Sequence, residues 1–160
     1  MKLNPTLTQE PLSKERLRLW LKLLKASRLI EDEIRRRLRK EHDWTLPRFD
    51  VMSALSRSPD GLKMSEISAM LKVSKGNITG IVDKLTDDGL ALRVSVPGDR
   101  RAQMVLLTQT GKALFSMHSA EHENWIDHIL GGLNADDIDG MILRLDRLQE
   151  TLNEEVQNEI

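Results

Sequence analysis

The chain of 160 residues has no cysteine and no tyrosine, and aromatic residues make up only 3% of it. Without cysteine the protein cannot form disulfide bonds, cysteine-ligated metal sites or thiol-based redox sensors. No apolar run is long enough to cross a bilayer, and the first twelve residues lack the apolar core of a secretory signal. We therefore expect a cytoplasmic protein whose helices pack mainly on aliphatic side chains.

Motifs typical of catalysis are also missing. No serine stands in a nucleophile elbow, and there is neither a glycine-rich phosphate loop nor an HExxH sequence. The pair His118 and His122 beside Glu121 is the one constellation that suggests a metallohydrolase, and the rest of such a site is lacking. We expect no enzyme and no cofactor. A pure protein-interaction module is a further alternative.

The net charge of −1 hides a strong polarity along the chain. Residues 14–40 carry eleven Lys and Arg against four acids, a balance of +7, whereas residues 109–160 carry three against eleven, or −8. A near-neutral total would argue against nucleic-acid binding, but the distribution of charge matters more than its sum. The basic segments therefore keep a nucleic-acid partner open.

Helical spacing of apolar residues predicts long helices at both ends of the chain. After a flexible arm at 1–12, Ser13 is a candidate N-cap for a helix that runs to Lys40 with apolar residues on two faces, one for its own domain and one for a partner. A second helix should begin at Pro47. Two further helices are expected after the hairpin, from Thr108 or Thr110 to about Leu130 and over about Ala135–Glu155.

Between these ends the sequence predicts a helix-turn-helix followed by a hairpin. Two short helices are expected over roughly Met64–Leu71 and Lys75–Asp87, with Ser74 as the N-cap of the second. Two β-rich runs follow, Leu90–Val96 and Gln103–Thr108, and the residues between them form a basic tip. This order is typical of a winged helix-turn-helix, whose second helix lies in the major groove of DNA.

The predicted second helix carries side chains suited to reading DNA at its leading end. If Ile78, Val82 and Leu85 are buried, then Lys75 can meet phosphate or guanine and Asn77 can address adenine. Arginines at the hairpin tip can enter a minor groove or grip phosphates. These residues could instead be ordinary solvated surface residues. A basic hairpin tip that follows a capped pair of short helices is, however, much less common by chance. The predicted DNA contacts are Ser74, Lys75, Gly76, Asn77, Thr79, Gly80, Lys84, Asp99, Arg100 and Arg101.

The sequence resembles the MarR family of regulators. The run DRRAQMVLLTQTGKAL (99–114) is similar to the family's wing-to-helix signature, and MSEISAMLKVSKGNITGIVDKLTDDGL (64–90) is similar to its helix-turn-helix. The resemblance covers roughly residues 13–155 and implies a mainly α fold, with six helices, a two-stranded wing and a dimer built from the first and last two helices. It places the family's minor-groove arginine at Arg101 and its bracing aspartate at Asp99. The chain departs from many members at Gly80, where they carry arginine, so their base preference cannot be assumed.

The resemblance also implies a domain layout and a function. Residues 13–160 would form one domain, with 47–108 as the DNA-binding lobe and 13–40 plus 109–158 as the dimerisation helices. The protein would repress transcription as a homodimer on a pseudo-palindromic operator until a small-molecule effector releases it.

An effector site is expected between the dimerisation helices and the DNA-binding lobe. LRLWLKLL (17–24), IEDEIRRRLR (30–39) and TLPRFD (45–50) resemble the branch of the family that controls aromatic-acid catabolism, including regulators that answer to hydroxycinnamoyl-CoA thioesters. Arginines suit phosphate and carboxylate recognition, although those near the end of the first helix could instead pair with acids of the C-terminal helices or contact DNA. The candidate effector residues are Arg28, Arg35, Arg36, Arg39, Trp44, Phe49, Met52, Met117, His118, His122 and Trp125.

A zinc-responsive regulator of the same fold is the alternative. The i,i+4 spacing of His118 and His122 places both imidazoles on one helical face, and Asp50 could add a carboxylate ligand. No third histidine has an obvious place, because His42 and His128 are expected at the surface. A role for His118 or His122 in the effector pocket or at the dimer contact is the competing interpretation.

Overall fold

The computed structural model describes residues 10–158 and contains helices with a small antiparallel sheet. The elements follow the order α1 (Leu12–His42), α2 (Leu46–Ser56), β1 (Leu62–Lys63), α3 (Met64–Leu71), α4 (Lys75–Asp87), β2 (Ala91–Val96), β3 (Asp99–Leu107), α5 (Gln109–Ile129) and α6 (Ala135–Asn158). This architecture confirms the predicted mainly helical, winged helix-turn-helix fold. The chain divides into two compact units between Ala120 and Glu121.

Helix α1 begins earlier and ends later than the sequence predicted. Pro11, not Ser13, occupies the N-cap position, and Leu12 is already helical, so the predicted arm cannot extend to residue 12. Residues 1–9 of that arm lie outside the described part of the chain. The helix ends at His42, where Asp43 adopts the left-handed conformation (φ 55°) and its N–H donates to the carbonyl of Arg39.

The core of the first unit is aliphatic. Thr45 caps α2 by accepting the N–H of Arg48 at 3.3 Å, and Pro47 stands in the first turn as predicted. Burial of apolar side chains in this core supplies most of the driving force for folding. The largest fully buried side chains are Leu38, Val51, Met52, Ile67, Ile78, Val82, Leu85 and Val105.

Helices α3 and α4 have the bounds that the sequence predicted. Lys72 at the end of α3 adopts a left-handed conformation (φ 51°), which turns the chain sharply before α4. Ser74 caps α4, since its Oγ accepts the N–H of Asn77 at 3.3 Å. At the start of α3 the Glu66 carboxylate accepts the N–H of Lys63 at 2.7 Å.

The wing belongs to a three-stranded sheet of order β1-β3-β2, not to a two-stranded hairpin alone. Strand β1 was not predicted, and it pairs with β3 through Leu62 opposite Val105. Strand β3 begins at Asp99 instead of Gln103, so Arg100 and Arg101 belong to the strand and not to the turn. The turn is left to Pro97 and Gly98, and Gly98 has a φ of 84° that favours glycine.

Helix α5 starts in tight contact with the end of the helix-turn-helix. Thr108 donates its hydroxyl to the carbonyl of Gly89 at 2.7 Å and accepts the N–H of Gly111 at 3.0 Å. A Cβ at Gly111 would lie only 2.0 Å from the carbonyl oxygen of Leu90, so glycine alone fits there. This contact fixes where α5 departs from the DNA-binding lobe.

Helix α6 forms a capped helix in the second unit. Asn134 accepts the N–H of Asp137 at 2.9 Å, while the Asp137 carboxylate accepts the N–H of Asn134 at 3.1 Å. The helix reaches Asn158, beyond the predicted end at Glu155, and none of its residues through that point is buried. Within residues 10–158, no helix combines the length and apolar character needed to cross a bilayer.

Candidate nucleic-acid interface

Helix α4 separates an apolar face from a polar one, as the sequence predicted. Ile78, Val82 and Leu85 are fully buried, whereas Lys75, Asn77, Thr79 and Lys84 are exposed. The Thr79 hydroxyl donates to the carbonyl of Lys75 at 2.9 Å, which leaves its oxygen able to accept a further hydrogen bond. A Cβ at Gly76 or Gly80 would meet no atom within 4 Å, so both glycines leave open space at the helix surface.

That open space belongs to a groove of about 370 Å³ between α4 and the start of α2. The absence of a side chain at Gly80 keeps the groove open along the exposed face of α4. The lining combines two cationic groups and one carboxylate with amide, hydroxyl and aliphatic groups. It consists of Asp43, Thr45, Arg48, Gly76, Asn77, Gly80, Ile81 and Lys84.

The wing presents two exposed arginines. Arg100 and Arg101 both lie at the start of β3, and Asp99 accepts the backbone N–H of Arg101 at 3.0 Å. In this bond Asp99 holds the backbone of the turn, whereas the sequence predicted that it would brace an arginine side chain. Arg93 of β2 pairs with Asp83 of α4, which ties the wing to the helix beside it.

Most arginines near the end of α1 pair with acids of the same helix. Arg35 lies 3.2 Å from Glu31 and 3.3 Å from Asp32. Arg36 and Arg37 share Glu33, each at 2.7 Å. These acids lie on α1 itself, because residues three or four apart on a helix face each other.

These pairs shift ionisation on the α1 surface. Hydrogen bonds from Arg36 and then Arg37 lower the pKa of Glu33 to about 2, and the same contact raises the pKa of Arg36. Arg39 and Lys40 have no ion pair among the residues that the structure describes. Together with Asp32, Arg35 and Arg36 they line a surface concavity of about 460 Å³.

The predicted effector residues of the first unit differ widely in exposure. Trp44, Phe49 and Met52 are buried in the core, whereas Met117 is 63% exposed. The Phe49 ring packs against Phe115, with ring centroids 5.4 Å apart. Arg28 is exposed on α1.

His118 is buried among aromatic rings, and one of these rings belongs to His42, which was predicted to lie at the surface. His118 is 5% exposed and stacks on His42 with ring centroids 4.0 Å apart, while Trp44 meets it edge-on at 4.3 Å. His42 is thus not the plain surface residue that the sequence suggested. In a stack the nitrogen lone pairs lie in nearly parallel planes, so these two rings cannot share one metal ion without turning.

The trio proposed for zinc is divided between the two units. Asp50 and His118 belong to the first unit and His122 to the second, where its ring lies 6.5 Å from that of Trp125. Within the described residues 10–120, no three His, Asp or Glu ligand atoms lie within 4.8 Å of one another.

Sequence reasoning missed Arg48 and its partners. Arg48 pairs with Asp88, 40 positions away, and its guanidinium carbon lies 4.4 Å from the centroid of the Trp44 ring. Local patterns carry no signal for such a contact, since it depends on how α2 packs beside α4.

The helix order, the capped α4 and the basic wing define a winged helix-turn-helix DNA-binding protein. A family model for the MarR family matches residues 42–102. The chain is 31% identical to the uncharacterized HTH-type transcriptional regulator YkoM of Bacillus subtilis over 107 residues, which are 66% of this chain and 68% of YkoM. It therefore belongs to the MarR family, and it is a DNA-binding transcription regulator and not an enzyme.

Other relatives agree with that membership. The HTH-type transcriptional regulator MhqR of Bacillus subtilis is 27% identical over 128 residues, covering 80% of this chain and 87% of MhqR. The homoprotocatechuate degradative operon repressor of Escherichia coli is 26% identical over 84 residues, or 52% and 56% of the two chains. The crystal structure of a MarR family transcriptional regulator from Silicibacter pomeroyi matches with a TM-score of 0.73 at 28% identity, covering 90% of this chain and 99% of the other.

Proposed function

We propose that the protein is a homodimeric repressor that reads a pseudo-palindromic operator with α4 and the β2–β3 wing. The observation that carries this proposal is the polar leading end of α4, where Lys75, Asn77 and Thr79 stand exposed beside a fully buried apolar stripe. In a winged helix-turn-helix that end meets base edges in the major groove. Residues 47–108 then form the DNA-binding lobe, and 13–40 with 109–158 form the dimerisation helices.

The predicted contacts divide into two roles. Asn77 is suited to bidentate hydrogen bonds with adenine, and Lys75 to guanine or phosphate. Thr79 can meet a base or a phosphate, whereas Arg100 and Arg101 meet phosphates or the minor groove and carry little sequence information. The other predicted contacts, Ser74, Gly76, Gly80, Lys84 and Asp99, support this placement on DNA.

A second copy of the chain is the proposed occupant of the exposed apolar face of α6. Its residues are 39–62% exposed and recur at helical spacing, namely Ile138, Met141, Ile142, Leu145, Leu148, Leu152 and Val156. A helix that leaves such a stripe in water is unusual, since apolar faces are normally buried. Members of this family act as dimers, and two copies would set their α4 helices roughly 34 Å apart, about one DNA turn.

The proposed effector is an aromatic acid or its CoA thioester. Support comes from Arg39 and Lys40, whose charges are not neutralised within the described chain, and from a relative named for repression of a homoprotocatechuate operon. In this proposal Arg28, Arg35, Arg36, Arg39 and Lys40 hold phosphates or a carboxylate, while the acyl ring meets Trp44, Phe49, Met52, Met117, His118, His122 and Trp125. Binding must favour a dimer whose α4 helices are wrongly spaced for DNA.

Calorimetry with an aromatic acyl-CoA, its free acid and CoA alone tests the effector class. Loss of acyl-CoA binding in Arg39→Ala supports phosphate recognition, and binding of the free acid by the wild type as tightly as the acyl-CoA rejects it. Addition of zinc to the purified protein tests the alternative in which Asp50, His118 and His122 are metal ligands.

If added zinc changes neither the DNA affinity nor the tryptophan fluorescence, the zinc alternative is rejected.

Selection of duplexes from a randomised DNA pool tests the main proposal. We expect enriched sequences to contain two inverted half-sites about 10 bp apart, centre to centre. Asn77→Ala should relax the preference at one base pair, losing about 1–3 kcal/mol of discrimination there. Asn158→Ala, at the exposed end of α6, is the matched control. No enrichment with the wild type, or equal enrichment by both variants, would contradict the proposal.

A further inference from the structure

Arg48 lies in α2 beside α4, the helix proposed to read DNA. It stands in the first turn of α2 with a side chain only 15% exposed, and its Nη2 donates to Asp88 at 2.8 Å. Asp88 is the C-cap of α4. The guanidinium group also packs on the Trp44 ring, 4.4 Å from its centroid, and its Nε is buried without an acceptor among residues 10–158.

We propose that Arg48 is a positioning residue for DNA reading, because its bridge to Asp88 fixes the direction of α4 against α2. The inference rests on the proposed role of α4 in the major groove. It assigns Arg48 no contact with a base.

The need for such a bridge follows from how the rest of α4 is held. Ile78, Val82 and Leu85 anchor the helix by apolar burial, which is non-directional. A planar guanidinium between a carboxylate and a ring face has far stricter geometry. The leading end of α4 lies roughly 20 Å from Asp88, by a rise of about 1.5 Å per residue, so a tilt of about 5° moves it by more than 1 Å. Hydrogen bonds to base edges do not tolerate that shift.

The ring under Arg48 is itself fixed. Trp44 is 7% exposed, and it meets the buried His118 ring of α5 edge-on at 4.3 Å. Arg48 therefore rests on a side chain that α5 holds in place. The series His118, Trp44, Arg48 and Asp88 joins α5 to the far end of α4.

The direction in which DNA affinity changes when Asp88 is replaced tests its pairing with Arg48. Removing Asp88 takes a negative charge away from a DNA-binding surface, which by itself strengthens binding to any DNA. If Asp88 acts by holding Arg48, its loss instead weakens binding to the operator. Asp87 is the matched control, since it is the exposed neighbouring acid and has no ion pair in the described chain.

The experiment measures the affinity of the full-length protein for its selected operator and for unrelated DNA. Asp88→Asn is expected to lose on the order of tenfold in operator affinity while it binds unrelated DNA as tightly as the wild type or more tightly, whereas Asp87→Asn binds the operator as tightly as the wild type or more tightly. Arg48→Met should resemble Asp88→Asn, and the double variant should be no worse than either. Arg48→Lys keeps the charge but not the plane and should not restore affinity, while Arg57→Met is the matched arginine control.

Three outcomes overturn the inference. They are an Asp88→Asn protein that binds the operator like Asp87→Asn, losses that add in the double variant, or an Arg48→Met protein whose salt slope falls by about one, as for a lost phosphate contact. Thermal unfolding of each variant shows whether it is folded at the assay temperature, and the exposed site of Asp88 favours folding of Asp88→Asn. A wild type without any preference for its selected operator would instead contradict the proposed function.

Discussion

At the scale of single residues, charge on α1 is balanced locally. Arg36 and Arg37 both bond to Glu33, so this carboxylate is held in its ionised form. Ion pairs between exposed residues contribute little to stability individually. They leave Arg39 and Lys40 without an ion pair among residues 10–158.

Titration of Glu33 tests this arrangement. Its pKa is lowered from 4.5 to about 2, so its ion pairs stabilise the fold fully above about pH 4.5 and lose that effect as the pH falls towards 2. Carbon-detected NMR should show the carboxyl titrating near 2 in the wild type and closer to its ordinary value in Arg36→Gln. An unchanged pKa in that variant would contradict the assigned cause.

Residue-scale prediction from sequence succeeded where the interaction is local. Ser74 caps α4 as expected, because an N-cap and the N–H group that donates to it lie within three residues. Arg48 and His42 were missed because their partners, Asp88 and His118, lie 40 and 76 positions away along the chain. Such contacts exist only once helices pack, and no spacing in the sequence records them.

At the scale of elements, the junction between the wing and α5 permits very little change. Gly111→Ala would place a methyl group 2.0 Å from the Leu90 carbonyl oxygen, which backbone atoms cannot avoid without moving. We expect a loss of about 3 kcal/mol in the free energy of unfolding, at the upper end of overpacking effects. Denaturant unfolding of Gly111→Ala beside Gly132→Ala measures it, since a Cβ at Gly132 meets nothing within 4 Å. Equal stability of the two variants would refute this view of the junction.

Element bounds show the same limit of sequence reasoning. The bounds of α3 and α4 were predicted correctly, because apolar periodicity and a cap mark them. Strand β1 has only two residues and is defined by pairing with β3, so no alternating pattern announces it. The start of β3 at Asp99 was missed because charged residues there resemble a loop, although Asp99 pairs with Val96 of β2.

At the scale of the whole molecule, the account predicts a dimer that depends on α6. Leu145→Glu places a charge in the exposed apolar stripe and should convert the dimer to monomer, since burial of that stripe provides the association energy. Light scattering after gel filtration measures the mass. Leu143→Glu is the matched control, because Leu143 is also exposed but lies on the opposite face of α6. A dimeric Leu145→Glu protein, or equal dissociation of both variants, would contradict the proposed interface.

The most direct test of the central claim is fluorescence anisotropy with the selected operator and unrelated DNA at several salt concentrations. The account predicts preferential binding to the operator that weakens steeply with salt. It also predicts that Arg101→Ala loses roughly tenfold in affinity, the order expected for one lost arginine contact, while Arg147→Ala on exposed α6 does not. Equal binding of both DNAs by the wild type, or equal affinity of the two arginine variants, would contradict the claim that α4 and the wing read DNA.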